Sequence, residues 1–167
     1  VNSTSFNDNS RYILGTIDQE TLSFPLRIDY ILTPTLSIQY WGQPFISQGV
    51  YKDFKYVNNP NANNFDDRTI SFDNAQINLN GSNYNVDENK DGVADYSFFQ
   101  PDFAFVQWRS NLVLRWEYIP GSEFYLVWSQ DASNFGNFND VLVDNLQTNI
   151  REVNNIFLLK FTYRFIR

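Results

Sequence analysis

The 167-residue sequence contains neither cysteine nor histidine. Without cysteine there are no disulfide bonds and no thiolate nucleophiles, and without histidine there is no Ser-His-Asp triad and no imidazole metal ligand. Most familiar active sites are therefore excluded, and we expect that the chain is not an enzyme. The lack of cysteine also argues against a small secreted domain held together by disulfides.

Charged residues make up only 19% of the chain, and the formal net charge of -7 gives a sequence pI near 4.4. Binding to nucleic acid needs clustered Lys and Arg, so we expect no nucleic-acid partner. No stretch approaches the ~20 apolar residues of a membrane helix. The first residues lack the basic and apolar parts of a signal peptide, so we expect the chain to be a processed or cut piece of a longer protein.

What the sequence has in abundance is aromatic side chains, at 18% of residues. Aromatic residues favour strands, and the abundant asparagine favours turns. Apolar and polar residues alternate over five stretches, which is the period of a strand with one apolar face. We predict five strands, with the tip of a sixth at Arg11–Ile17: Leu22–Leu32, Leu36–Ser47, Phe103–Ile119, Glu123–Gln130 and a last strand that carries Phe157 to Phe165.

The connections between these strands alternate in length. Thr33–Thr35 and Pro120–Ser122 are tight turns, whereas about 49–102 and 130–155 are long and rich in Asn and Asp. Outer-membrane barrels have this layout, with short periplasmic turns and long extracellular loops. Within the first long loop, brief alternation at 69–72 and 76–79 predicts a small hairpin.

The two faces of the predicted strands differ in charge. Mid-strand charges all lie on the polar face: Arg27, Asp29, Arg109, Arg115 and Lys160. The opposite face carries none over the ~9–11 residues that a membrane strand needs. Aromatic residues gather near the short-turn ends of this apolar face, like the girdle at a membrane interface: Tyr30, Trp116, Tyr118, Phe124, Tyr163 and Phe165.

These patterns predict an all-β fold, an antiparallel transmembrane β-barrel segment of about five or six strands. Residues 1–167 are then the C-terminal part of one larger barrel domain in the outer membrane of a Gram-negative bacterium, with extracellular loops at about 49–102 and 130–155. The ending Phe161 to Phe165 resembles the last strand that the outer-membrane assembly machinery recognises, although two residues follow the final aromatic residue. Alternation also fits a soluble β-sandwich or lipocalin-like binding module, whose aromatics form a core or a ligand pocket.

Five or six strands cannot close a barrel, which needs ~8. Unpaired backbone groups in lipid cost several kcal/mol each, so the segment requires further strands. We expect as partners the outer-membrane lipid and the remaining barrel strands, from the same polypeptide or another chain. Other outer-membrane proteins are further candidates. The sequence leaves open whether the role is structural, transport or membership of a surface complex.

One stretch has the spacing of a metal site. Asp87–Asp95 reads D-E-N-K-D-G-V-A-D, the start of a calcium loop, and Ca²⁺ takes 6–8 oxygen ligands at ~2.3–2.6 Å. Phe98 stands where an EF-hand carries a bidentate glutamate, so the match is to shorter calcium loops. We predict that Asp87, Asn89, Asp91, Asp95 and the carbonyl of Val93 bind one structural Ca²⁺ on the extracellular side. Asp102 is a candidate for a further ligand. The alternative is an ordinary surface turn, since Asn, Asp and Gly dominate turns.

No arrangement of catalytic residues is evident. Arg115 and Glu117 share the polar face, and a carboxylate beside a guanidinium inside a barrel is usually an ion pair of the lumen. We predict no catalytic residues.

Three stretches resemble the C-terminal end of a family of outer-membrane proteins of unknown function. They are Leu22-Ser-Phe-Pro-Leu-Arg with Thr33-Pro-Thr-Leu-Ser-Ile-Gln-Tyr-Trp-Gly-Gln-Pro-Phe, the acidic loop followed by Pro101-Asp102-Phe103, and Arg109-Ser-Asn-Leu-Val-Leu-Arg-Trp-Glu-Tyr-Ile-Pro-Gly-Ser with Leu126-Val-Trp-Ser-Gln. Members of that family join an N-terminal β-sandwich, similar to a carbohydrate-binding module, to a large barrel. The resemblance implies a calcium-type loop at Asp87–Asp95 and no known activity.

Overall fold

The computed structural model describes residues 2–7 and 9–165. The protein is all-β, with 63% of its residues in strands that form antiparallel sheets, and the described residues include one short α-helix. The predicted all-β class is therefore confirmed. Within the described part of the chain, no helix is long and apolar enough to cross a membrane. Ile166 and Arg167, the two residues after the final aromatic residue, lie outside the described residues.

The strands of the described residues are, in chain order, β1 Asn2–Phe6, β2 Asn9–Ser23, β3 Leu26–Thr33, β4 Leu36–Val57, β5 Thr69–Ser71, β6 Ile77–Asn80, β7 Asn83–Val86, β8 Tyr96–Phe99, β9 Phe103–Ile119, β10 Ser122–Phe135 and β11 Asn154–Phe161. A 3₁₀ turn at Asp66–Arg68 precedes β5, and the helix α1, Leu142–Asn149, precedes β11. The chain divides into two compact units. The first comprises residues up to Gln19 together with Gly49–Asp102, and the second comprises Glu20–Gln48 and the residues from Phe103 onward.

The first unit contains a buried aromatic core between two layers of strands. One layer includes β1 paired with β2 and β5 paired with the end of β4, and the other is the antiparallel sheet β6–β7–β8. The core between them consists of Ile13, Phe54, Val86, Tyr96 and Phe98. Gly15 lies against this core, and a Cβ there would stand 3.0 Å from the Phe54 ring. The long loop predicted at 49–102 is thus part of a folded unit, whose core it shares with Ile13 of β2.

The second unit is built on an antiparallel ladder. β3 pairs with β4, β4 neighbours β9, and β10 pairs with both β9 and β11. The β9–β10 hairpin turns at Pro120 and Gly121, where Gly121 takes a φ of 79° that a side chain would disfavour. The strand predicted at Phe103–Ile119 coincides with β9. β10 continues to Phe135, so the second long connection is shorter than predicted, and it contains α1, which the alternation does not indicate.

The predicted strand at Leu22–Leu32 corresponds to the end of β2 and to β3, which follow each other with only Phe24 and Pro25 between them. Proline has no N–H for a ladder, so the pairing is interrupted there. Phe24 still donates its N–H to the carbonyl of Pro44 at 3.2 Å. The predicted strand tip at Arg11–Ile17 lies within β2.

Two predictions are wrong, one about strand pairing and one about the extent of the last strand. Residues 69–72 and 76–79 do not form a hairpin with each other, because Thr69–Ser71 pairs with β4 and Ile77–Asn80 pairs with β7. The last strand ends at Phe161 and does not reach Phe165. Thr162 and Glu123 still exchange backbone hydrogen bonds at 2.8 and 3.1 Å, but the N–H of Arg164 donates to the Ser122 hydroxyl at 3.0 Å in place of a strand carbonyl.

Candidate functional site

The register of β9, β10 and β11 places apolar side chains in three rows across the second unit. Side chains directly opposite each other on neighbouring strands share a face and contact one another. The rows are Leu112–Trp128–Phe157, Leu114–Leu126–Leu159 and Trp116–Phe124–Phe161. These nine side chains are called the apolar belt below.

The apolar belt contains no charged residue; four of its side chains are exposed and the other five are half-buried. None of its nine side chains is buried, and Phe157, Leu159 and Phe161 are 65%, 67% and 66% exposed. On β3 the same pattern recurs at Leu26, Ile28 and Tyr30, which are 44% to 60% exposed. A monomeric soluble protein rarely exposes a large contiguous apolar surface, and such a surface marks a membrane or partner contact.

Polar groups border the apolar belt at both ends. At one end Ser110, Gln130 and Asn155 form a hydrogen-bonded row, with 2.9 Å from Ser110 Oγ to Gln130 Oε1 and 3.1 Å from Gln130 Nε2 to Asn155 Oδ1. Trp128 Nε1 donates to the same Asn155 oxygen at 2.9 Å. At the other end the Tyr118 hydroxyl donates to the Thr162 carbonyl at 3.2 Å. Amphipathic Trp and Tyr at the ends of an apolar band are typical of membrane interfaces.

The length of this band can be estimated along β9. From Ser110 to Tyr118 the strand rises about 3.4 Å per residue, which gives roughly 27 Å. A strand tilt of about 40° reduces the height to roughly 20 Å, close to the ~25 Å of the apolar band on outer-membrane barrels.

On the opposite face of the same strands, Arg109 and Arg115 each form an ion pair, and Lys160 lies over the Tyr125 ring. Arg109 Nε contacts Asp131 Oδ1 at 3.3 Å, and Arg115 pairs with Glu123 and donates to the Tyr125 hydroxyl at 3.2 Å. The carboxylate partner of Arg115 is therefore Glu123 and not Glu117. Glu117 instead accepts the N–H of Gly121 in the turn at 2.8 Å.

The predicted calcium ligands lie in a tight turn of the first unit, between β7 and β8. Asp87 accepts the N–H groups of Asp91 and Gly92 at 3.1 and 2.8 Å, and Asp91 Oδ1 accepts the N–H of Val93 at 2.9 Å. Asp95 Oδ2 accepts the N–H of Glu88 at 2.7 Å. The carboxylates therefore fold into the turn, and Gly92, with a φ of 88°, makes its sharp bend possible.

Asn89 lies among the free carboxylate oxygens of this turn. Its Nδ2 is 3.2 Å from Asp91 Oδ2 and 3.5 Å from Asp95 Oδ1. An amide N–H donor therefore lies where these oxygens converge. No group of three or more acidic side chains that could hold a metal ion occurs among the described residues, and the predicted set also uses an amide oxygen and a main-chain carbonyl.

Asp102, considered above as a further ligand, has other partners. Its Oδ1 accepts the N–H of Tyr51 at 2.7 Å, and its Oδ2 accepts from Gln100 Nε2 at 2.7 Å. The positive neighbour of the acidic turn is Lys90, whose Nζ is 2.6 Å from Asp73. A hydrogen bond from Lys90 lowers the pKa of Asp73. The ammonium of Lys90 therefore pairs with Asp73, a carboxylate outside the turn.

Glu88 anchors the turn to the body of the first unit. Its side chain is 10% exposed and accepts from Arg11, with 2.9 Å between Nη2 and Oε1, while the Tyr96 hydroxyl donates to Oε2 at 2.8 Å. The Arg11 guanidinium also lies over the rings of Phe6 and Tyr56. Burial, and then the hydrogen bond to Glu88, raises the pKa of Tyr96, and burial raises the pKa of Tyr56.

Sequence reasoning did not identify this cluster. The one available signal is that Arg11 shares a strand face with Ile13, so that a charged residue stands on an otherwise apolar side. The partner, Glu88, is 77 residues away and is not indicated by any local pattern.

In the second unit, the segment after β10 is held by a buried asparagine. Asn145, on α1, is fully buried; its Oδ1 accepts the N–H of Asn137 at 2.9 Å and its Nδ2 donates to the Asn137 carbonyl at 2.6 Å. Gly136 passes so close to Asn145 Oδ1 that a Cβ at this position would clash with it. The predicted loop is therefore locally ordered.

No protein-family model, curated protein or solved structure matches this chain.

Proposed function

We propose that the second unit is part of a transmembrane β-barrel in the outer membrane of a Gram-negative bacterium, with the apolar belt facing lipid. The observation that carries this proposal is a set of three charge-free apolar rows in which no side chain is buried, bordered at both ends by hydrogen-bonded Trp and Tyr side chains. The ion pairs of Arg109 and Arg115 then face the lumen, where water solvates them. The protein acts as a structural, transport or surface-complex component of the membrane.

The strand edges support a shared barrel. Among the described residues, β11 pairs only with β10, and β3 pairs only with β4. All eight residues of each of these strands are exposed. In lipid an unpaired edge costs several kcal/mol for each backbone group, so both edges require further strands, from the same polypeptide or from another chain.

In this proposal the first unit, which contains the long connection 49–102, lies outside the cell. Its turn at Asp87–Asp95 binds one structural Ca²⁺ through Asp87, Asn89, Asp91, Asp95 and the Val93 carbonyl. The inward-folded carboxylates and the bend at Gly92 support this assignment, since a hard cation needs several converging oxygens. Calcium outside a cell would fill even a weak site of the ~10⁻⁴–10⁻³ M class.

Adjacent residues of β10 give a matched test of the lipid-facing side. Leu126 lies in the middle row of the apolar belt, and Val127 points to the opposite face. A Lys at the middle of the lipid face costs ~2–4 kcal/mol, whereas a lumen position tolerates it. Leu126→Lys should strongly reduce the amount of folded protein in the outer-membrane fraction, and Val127→Lys should leave most of it. Equal losses, or a larger loss for Val127→Lys, would contradict the proposal.

The second candidate is a soluble β-sandwich or lipocalin-like binding module. The observation in its favour is the first unit, whose two layers of strands enclose a buried aromatic core. In this case the protein remains monomeric in buffer without detergent, and an apolar dye binds to it. Sedimentation of the detergent-free protein with membranes at high salt separates this candidate from the barrel.

A further inference from the structure

The outer edge of β11 lacks the features that usually keep another strand away. β11 pairs with β10 without a register shift, and among the described residues it has no neighbour on its other side. Edge strands of soluble proteins are commonly blunted by proline, bulges or charges. β11 contains no proline and a single charged residue, Lys160, and all eight of its residues are exposed. This edge is therefore open to a further strand.

The backbone groups at this edge belong to residues of the apolar belt. Thr162 and Glu123 exchange both of their backbone hydrogen bonds, so Thr162 directs its N–H and its carbonyl toward β10. In an antiparallel ladder, residues that direct these groups toward one neighbour alternate with residues that direct them away. The unshifted register therefore gives the residues whose N–H and carbonyl groups point to the open edge: Phe157, Leu159 and Phe161.

This arrangement defines the side chains of a strand that fits the edge. Residues directly opposite each other on neighbouring strands share a face. The partners of Phe157, Leu159 and Phe161 therefore extend the apolar belt, which carries no charge, and must be apolar as well. In the membrane placement proposed above this face meets lipid, where an unpaired backbone group finds no water.

Strand direction decides where the fitting strand comes from. β3 pairs with β4, which is followed across the sheet by β9, β10 and β11, and the sheets are antiparallel. Three strands thus lie between β3 and β11, so these two edge strands run in the same direction. In a second copy with the same orientation in the membrane, both edges would meet β11 as parallel neighbours. Bacterial outer-membrane barrels consist of an even number of antiparallel strands, so an odd number of further strands must separate the two edges.

We propose that the open edge of β11 pairs with a strand of the same polypeptide that lies outside residues 2–165. This strand runs opposite to β11 and carries apolar side chains opposite Phe157, Leu159 and Phe161. The inference rests on the proposed membrane placement and adds to it the direction of the neighbouring strand, its side-chain pattern and the odd number of missing strands.

Two adjacent leucines give a matched test of pairing at this edge. The N–H of Leu158 points to β10, and the N–H of Leu159 points to the open edge. Proline removes this N–H, which a strand tolerates only on a side without a neighbour. In the full-length protein, Leu158→Pro and Leu159→Pro should each reduce the amount folded in the outer membrane by about tenfold or more. Leu159→Ala, the control for loss of the side chain, should leave most of it.

Photocross-linking in outer membranes identifies the strand. p-Benzoylphenylalanine replaces Phe157 or Phe161, and a neighbouring strand about 4.8 Å away is within its reach. Besides β10, both positions should cross-link to one segment of the same polypeptide outside residues 2–165. The two sites in that segment should lie about four residues apart and in reverse order. The same replacement at Phe65, which is 72% exposed in the first unit, should not label this segment.

The outcomes separate this inference from the proposal on which it rests. A wild-type protein that is absent from the outer membrane contradicts the membrane placement itself. With the wild type folded in the outer membrane, tolerance of Leu159→Pro overturns the inference alone. Cross-links in parallel order, to β3 or β11 of a second copy, or to a different protein overturn it as well.

Discussion

Replacing Glu88 by alanine should loosen the first unit, because it leaves the Arg11 guanidinium without its carboxylate. The Arg11 and Glu88 side chains are only 20% and 10% exposed. Three Arg11–Glu88 nitrogen–oxygen distances lie between 2.9 and 3.3 Å, and the Tyr96 hydroxyl adds a hydrogen bond at 2.8 Å. A single substitution therefore removes the acceptor for two donors at once.

The magnitude follows from the burial of the pair. Breaking a buried pair by removing one partner costs ~3–5 kcal/mol, whereas an exposed pair contributes ~0–1 kcal/mol. The residual exposure of Arg11 places the expected cost of Glu88→Ala near the lower end, at about 3 kcal/mol. The double variant Arg11→Met with Glu88→Met should be more stable than Glu88→Ala, because no charge is then left without a partner.

Hydrogen exchange of the amides in β7 and β8 is the appropriate assay, since it reports local opening of this unit. A loss of about 3 kcal/mol corresponds to exchange roughly 100-fold faster, at 1.4 kcal/mol for each factor of ten. A cost below about 1 kcal/mol, or a double variant that is less stable than Glu88→Ala, would show that the cluster behaves as a surface pair.

Three further predictions concern the first unit. Burial raises the pKa of the Tyr96 hydroxyl, so the folded state favours the protonated form. The stability that the protonated hydroxyl contributes is therefore complete below the unfolded pKa of ~10 and is lost as the pH rises above it. Hydrogen-exchange protection should fall in that pH range, and the fall should be smaller in Tyr96→Phe. Gly15→Ala should cost about 1–3 kcal/mol in a chemical-denaturation or exchange measurement, because its Cβ would meet the Phe54 ring at 3.0 Å; no loss would mean that the ring moves freely. Asp91→Ala, or EDTA added to the wild type, should speed proteolysis between Asn80 and Gln100, and equal protease resistance with and without EDTA would leave only a polar surface turn.

The second unit was largely predictable because its strands carry their own signal. In β9 the alternation runs over the whole strand, and Pro120 with Gly121 marks the turn, so the predicted boundaries agree with the structure. At the ends of β4 and β10 the alternation weakens, and pairing with neighbouring strands extends both beyond the predicted ends. Strand length at these ends depends on pairing with neighbouring strands, which the sequence of one strand alone does not show.

The first unit was not predictable in the same way. Its strands β6, β7 and β8 have four residues each, and asparagine occupies half of the positions in β6 and β7, which resembles a loop composition. What folds them is packing on Phe54 and Ile13 from distant parts of the chain. For the same reason the turn at Asp87–Asp95 was indicated by spacing, whereas its anchor through Glu88 to Arg11 was not.

The helix α1 was likewise not predictable from the sequence. Its eight residues lack a side-chain cap at the N-terminus, so the usual start signal is missing. The segment is instead organised by Asn145, whose amide bonds to both the N–H and the carbonyl of Asn137. A buried polar contact of this kind depends on the folded neighbourhood.

The central claim, that the apolar belt faces lipid, is tested most directly by spin labels at two adjacent positions of β11. The chain has no cysteine, so Leu159→Cys and Lys160→Cys each provide a single attachment point. Leu159 belongs to the belt, and Lys160 points to the opposite face. In outer-membrane preparations the label at 159 should be relaxed mainly by oxygen, which concentrates in lipid, and the label at 160 mainly by a water-soluble nickel complex. Strong nickel accessibility at 159, or the same accessibility at both positions, would contradict the barrel.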